Sequence, residues 1–221
     1  MPRINTVLLD LDGTLADTAP DMAHALNLLL RERNHDPLLF DLIRPHVSHG
    51  ALALVRLGFA LAPDSENLEP LRQRYLEIYA DNLCRETHLF PGISQLLDSL
   101  SGRGIRWGVV TNKPAYLTEP LVDQLALRQQ PACIVSGDTT NNRKPHPEPL
   151  LHACAQAGSV AERCLFVGDA ERDIQAGTQA GMKTLVALFG YISHEENPQL
   201  WGADGVIHAP MEICDWLDAH G

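Results

Sequence analysis

The stretch Ile4-Asn5-Thr6-Val7-Leu8-Leu9-Asp10-Leu11-Asp12-Gly13-Thr14 decides the fold. A short apolar run stops abruptly at two acids and a glycine. A continuous run of this length, bounded by a turn signal, reads as a strand buried on both faces. The form recurs at Ile105 to Thr111 (IRWGVVT) and Ala132 to Ser136, then at Cys164 to Val167, Lys183 to Leu188 and Gly205 to His208. Helical patterns lie between these runs. Ile93, Leu96, Leu97 and Leu100 follow Pro91-Gly92 and are stopped by Gly102 and Gly104. Leu117, Leu121 and Leu125 mark a second helix, and Pro147 to Ala157 and Arg172 to Ala180 mark two more. Strands alternating with helices predict an α/β domain with a parallel sheet.

One segment breaks the alternation. From about Pro20 to His88 the pattern is helical, with no convincing strand. Thr18 and Asp21 have the spacing of a capping box before Met22-Ala23-His24-Ala25-Leu26. Leu68, Leu71, Tyr75, Ile78 and Tyr79 form a further apolar stripe. About 70 helical residues are thus inserted straight after the first strand. The expected organisation is a core of residues 1–17 and 89–221, interrupted by a helical unit at 18–88.

The 221 residues carry a formal net charge of −11 and are 45% hydrophobic, which suits a globular chain. The acidic balance, without clustered Lys and Arg, argues against nucleic acid and against anionic membranes as partners. No run of about 18 apolar residues occurs, and the N-terminal run is too short for a signal peptide. The expected location is therefore the cytoplasm. Cys84, Cys133, Cys154, Cys164 and Cys214 are odd in number and widely spaced, which predicts reduced thiols and not a zinc site or disulfide framework. Monomer and homodimer are both left open.

In open α/β sheets, ligands bind beyond the carboxyl ends of the strands. Here those ends bear Asp10 and Asp12, then Thr111-Asn112-Lys113, then Lys144 in the polar loop TTNNRKPHP, then Gly168-Asp169 with Asp173 one turn on. Crowded carboxylates repel and lose solvation, so they call for a cation, and oxygen-only ligands favour Mg²⁺ over zinc. Each residue alone has a plainer reading. Asp10 and Asp12 could cap a turn, Lys144 could be a surface lysine, and Asp173 could be an N-terminal helix acid. A calcium loop of the EF-hand type is excluded, because Gly13 and Ala16 fall at the wrong places. The ten histidines show no HExxH-like spacing.

Taken in order, DxDGT at Asp10, Asp12, Gly13 and Thr14, the strand-ending Thr111, Lys144 in RKPHP, and Gly168-Asp169 with Asp173 resemble the four motifs of the haloacid dehalogenase-like phosphatases. The motifs span residues 10 to 173. The resemblance implies a Rossmann-like parallel-sheet core domain with an inserted α-helical cap domain. It implies a Mg²⁺-dependent phosphatase of small phosphorylated metabolites. Asp10 would be the nucleophile and Asp12 the general acid and base. Mg²⁺ would be held by the Asp10 carboxylate, the Asp12 main-chain carbonyl and Asp169. Thr111, Lys144 and the Asn112 N–H would hold phosphate oxygens, as would the Gly13-Thr14 turn. Asp173 would orient Lys144 or a metal-bound water.

Ser48-His49-Gly50 lies where related phosphatases place a Gly-containing specificity loop, and Arg44 and Arg56 are cap cations able to meet a substrate carboxylate. Within the family, DLDGTLADT and GDAERDIQAG resemble the phosphoglycolate phosphatase branch. The tail from Gly190-Tyr191-Ile192 through Asn197-Pro198 to Trp201-Gly202-Ala203-Asp204 also resembles N-acetylmuramic acid 6-phosphate phosphatases. A phosphotransferring mutase and a non-catalytic metal-binding module are the alternatives, because the same Asp pair serves the first and a bare acid cluster the second.

Overall fold

The computed structural model describes residues 3–220. Met1, Pro2 and Gly221, the outer limits expected for the core, lie outside the described residues. Strand β1 (Thr6–Leu9) is buried along its whole length, as its unbroken apolar run requires. The chain then makes the short strand β2 (Ala16–Asp17) and enters α1 (Ala19–Glu32), α2 (Phe40–Ile43), a 3₁₀ turn at Arg44–His49, α3 (Gly50–Phe59) and α4 (Leu68–Asp81). It returns through β3 (His88–Leu89), which pairs antiparallel with β2. The segment between the paired strands contains no strand among its assigned elements.

Then follow α5 (Ile93–Gly102), β4 (Arg106–Val110), α6 (Ala115–Gln124), β5 (Ile134–Val135), α7 (Glu148–Gln156), β6 (Cys164–Gly168), α8 (Glu171–Gln179), β7 (Lys183–Ala187), β8 (Gly205–Ile207) and α9 (Glu212–His220). The six long-range strands form one sheet in the order β5-β4-β1-β6-β7-β8, all parallel. The period of two along β1 divides the core. Val7 and Leu9 pack in a cluster with Leu96 and Leu100 of α5 and Leu121 of α6, whereas Leu8 joins Phe166, Leu150 of α7 and Ala176 of α8 on the other face. The strand order reverses at β1, which has β4 on one side and β6 on the other, so the crevice for a ligand opens at the carboxyl ends of these strands.

The expected capping box at the start of α1 does not form. Thr18 makes no side-chain cap, because its hydroxyl donates to Asp12 Oδ1 at 2.6 Å. Asp21 instead accepts the main-chain N–H groups of Arg85, Glu86 and Thr87 and the Thr87 hydroxyl. Tertiary partners outcompete the local cap, and the effect is to staple the outgoing crossing to the return. The five cysteines are free, as expected. Among the described residues no helix is long and apolar enough to cross a membrane.

Candidate active site

Lys144 is the hub of the site and is almost wholly buried. Its ammonium lies 2.9 Å from Asp10 Oδ1 and 2.8 Å from Asp173 Oδ1, and it donates to the Val110 carbonyl at 2.8 Å. Burial alone would pull the ammonium pKa down, but Asp10 and Asp173 outweigh it and hold the pKa above its ordinary value. The Asn112 side chain fixes the main chain of the same residue, donating to the Lys144 carbonyl at 2.9 Å and accepting its N–H at 3.0 Å. A loop after β5 is thereby bolted to the end of β4. Asp173 also accepts the Ala170 N–H at 3.1 Å, which ties it to the first turn of α8.

Asp169 sits at the end of β6, fully enclosed. Its carboxylate accepts the Tyr191 N–H at 2.9 Å and the Ser48 hydroxyl at 2.6 Å, with the Thr14 hydroxyl at 3.5 Å. Burial first, then the neighbouring Asp10 and Asp173, push its pKa up to about 7. Asp10, Asp169 and Asp173 offer carboxylate oxygens that all lie within 4.8 Å of one another. Three buried acids against Lys144 and the nearby Arg172 leave an excess of negative charge. That donor set fits a hard divalent cation.

Gly13 explains how the acids come so close. Its φ is +86°, and a Cβ there would fall 2.1 Å from Asp169 Oδ2. The turn expected to approach phosphate is thus built against Asp169: Gly13 abuts it and the Thr14 hydroxyl faces it, and neither lines the cavity described below. Gly190 closes the other side, where a Cβ would meet Asp169 Cβ at 2.3 Å.

Asp12 points elsewhere. Its Oδ1 accepts from Thr18 and lies 3.0 Å from Lys113 Nζ. Asp10, Asp12, Thr111 and Asn112 border a cavity of about 290 Å³ that is roofed by Ser48, His49 and Gly50 together with Tyr75 and Tyr79 of α4. The Ser48-His49-Gly50 turn thus faces the strand ends across this cavity. Burial pushes the His49 imidazole below its ordinary pKa. Arg44 and Arg56, proposed from sequence as substrate cations, are not in the cavity. Arg44 stacks on Tyr191 and donates to the Gly190 carbonyl, and Arg56 turns to the Leu61 carbonyl. The cavity cations are Arg72, Lys113, Arg143 and Arg172. Of these, Arg172 donates to the Ser48 carbonyl from beside Asp173. Their signal was present: Arg72 precedes Tyr75 by three on one helix face, and Lys113 and Arg172 adjoin motif residues.

Tyr191 was also missed as a working residue. Its hydroxyl accepts the N–H groups of Thr18 and Ala19 and donates to Asp17, so it grips the outgoing crossing while its own N–H holds Asp169.

The model of the haloacid dehalogenase-like hydrolase family matches residues 7–187. The chain belongs to that family. An N-acetylmuramic acid 6-phosphate phosphatase of Pseudomonas aeruginosa is 41% identical over 98% of this chain and 96% of its own. A phosphoglycolate phosphatase of Xanthomonas campestris is also 41% identical, over 95% and 94%. The crystal structure of a predicted phosphoglycolate phosphatase from Haemophilus somnus superposes with a TM-score of 0.85 at 26% identity, covering 98% of this chain and 99% of that one. This haloacid dehalogenase-like hydrolase is a phosphoric monoester hydrolase.

Proposed function

We propose that the protein hydrolyses a small phosphomonoester by way of an aspartyl-phosphate on Asp10, beneath a cap formed by residues 18–88. The observation that carries this reading is the position of Asp10, which borders the cavity and is held at 2.9 Å by buried Lys144. An Asp10 carboxylate oxygen attacks phosphorus and the ester P–O bond breaks. Protonated Asp12 gives its proton to the departing oxygen, releasing the alcohol. Ionised Asp12 then takes a proton from water, whose oxygen attacks the same phosphorus and frees inorganic phosphate and Asp10. Thr111, Lys144 and the Asn112 N–H hold phosphate oxygens, and Asp173 keeps Lys144 charged and aimed. Asp10, Asp169 and the Asp12 main-chain carbonyl would hold Mg²⁺, which supplies countercharge for the phosphate and orients it. Gly13 and Thr14 support Asp169.

The substrate we infer is a phosphorylated sugar acid of the N-acetylmuramic acid 6-phosphate kind, with phosphoglycolate as the smaller alternative. At about 290 Å³ the cavity is close to the lower end of small-molecule sites, about 300–1,000 Å³, and offers more space than a two-carbon acid needs. The mixture of tyrosines, Leu52, Leu76 and Arg72 suits a body with apolar and anionic parts. Ser48, His49 and Gly50 would touch that body. Purified protein with Mg²⁺ should release phosphate from both esters, with the higher kcat/KM on the sugar acid. A higher value on phosphoglycolate would reverse the substrate assignment, and no release from any phosphomonoester would overturn the reaction. A cytoplasmic location accords with five unpaired cysteines, and cell fractionation tests it.

A further inference from the structure

Lys113 is the second buried lysine of the site, and phosphate binding does not account for its contacts. Its ammonium lies 3.0 Å from Asp12 Oδ1 and donates to the Tyr79 hydroxyl at 3.1 Å, 4.6 Å from the centre of that ring. Tyr79 belongs to α4 and is itself buried. The lysine main chain is locked as well: its N–H donates to Thr111 Oγ1, and its carbonyl accepts from Gly137 and from the Thr118 hydroxyl. On its other side, Asp12 Oδ1 takes the Thr18 hydroxyl, from the crossing into the helical segment. The oxygen is thus gripped by two groups, one in that crossing and one braced by a tyrosine of that segment.

An acid must face the departing oxygen within hydrogen-bond reach to be useful, and an aspartate free to rotate about two side-chain bonds spends much of its time elsewhere. We propose that Lys113 is a positioning residue for the acid/base carboxylate, and that Tyr79 makes Asp12's orientation depend on the seated helical segment. The proposal rests on the phosphatase reading with Asp12 as acid. It explains why a cation is buried between an acid and a tyrosine of a different segment, where an apolar side chain would fill the space without losing solvation.

The test uses leaving groups of different basicity. Alkyl phosphates leave as strong bases and need a proton. An aryl phosphate such as p-nitrophenyl phosphate leaves as a weak base and needs little help. The parameter to read is kcat/KM, which covers steps up to phosphorylation of Asp10 and so excludes the later water attack. In K113M, kcat/KM on the alkyl ester should fall about 10- to 100-fold, while on the aryl ester it falls by only a few-fold. Y79F keeps the ring and removes the hydroxyl, and it should shift the same ratio by a smaller factor. K113R should recover part of the loss on the alkyl ester. Equal losses on both esters in K113M and Y79F would overturn the positioning role, because a merely structural lesion does not sense the leaving group. If K113M is recovered unfolded, Y79F decides on the same ratio. A native protein inactive on both esters would instead overturn the phosphatase reading underneath.

Discussion

At the residue scale the site is limited by space as much as by charge. A Cβ on Gly13 would sit 2.1 Å from Asp169 Oδ2, and the residue has a φ of +86° besides. Gly13→Ala must therefore displace the carboxylate or the turn. Expected are a stability loss of about 2–3 kcal/mol in urea unfolding and a 10- to 100-fold weaker Mg²⁺ affinity by calorimetry. An unchanged affinity would detach Asp169 from metal binding. Asp10→Asn keeps the volume and removes the attacking charge. Phosphate release should fall on the order of 10⁴-fold or more while circular dichroism stays native; appreciable turnover by a clean preparation would refute the nucleophile assignment. Both residues were legible in the sequence, because Asp-x-Asp-Gly after an apolar run is a local pattern. Arg72, Lys113, Arg172 and Tyr191 were not singled out, because a cation or a tyrosine acquires its role from what folds against it. Arg44 and Arg56 were misread for the same reason: helical spacing says nothing about which side chain a neighbouring backbone carbonyl will capture.

At the scale of elements, the crossings between the helical segment and the sheet concentrate the polar engineering. Two strands of two residues each, β2 and β3, carry the chain out and back. Nothing so short has a readable period, so the sequence showed six strands of the main sheet and neither of these. Thr18 and Asp21 had the right chemistry for a cap, but Thr18 was drawn back to Asp12 and Asp21 across to residues 85–87. The Asp21 carboxylate is buried and accepts three main-chain N–H groups of Arg85, Glu86 and Thr87. Asp21→Ala leaves those donors without a partner, at a cost of about 2–4 kcal/mol. The return crossing should then open locally, and limited trypsin digestion should cut after Arg85 well before the native protein is cut there. Cleavage at the native rate would mean that the β2–β3 pairing alone secures the crossing.

Across the whole molecule, stability, proton and cation are linked through one carboxylate. In the folded, cation-free protein, burial and the neighbouring acids push the Asp169 pKa up to about 7, against about 3.9 for a free aspartate. Between these values the folded chain binds a proton that the unfolded chain has released. Stability from this group is therefore greatest at low pH and falls as pH rises through the window from about 4 to 7. A cation in the acid cluster reverses that penalty, because it stabilises the ionised form and competes with the proton. Saturating Mg²⁺ should then raise Tm more at pH 8 than at pH 5.5. Calorimetry at pH 6 should show proton release on binding, seen as an enthalpy that depends on the ionisation heat of the buffer. The sign is specific to a burial-raised carboxylate, since a site already ionised at pH 5.5 would give the same Tm increase at both pH values and release no proton. The Ser48 hydroxyl ties this linkage to the cap, because it donates to the same carboxylate from the loop that roofs the cavity. Ser48→Ala removes a bond that lowers the Asp169 pKa, so the pH at which Mg²⁺ begins to stabilise the protein should move upward. A shift downward, or none, would show that the cap loop does not act on the acid cluster.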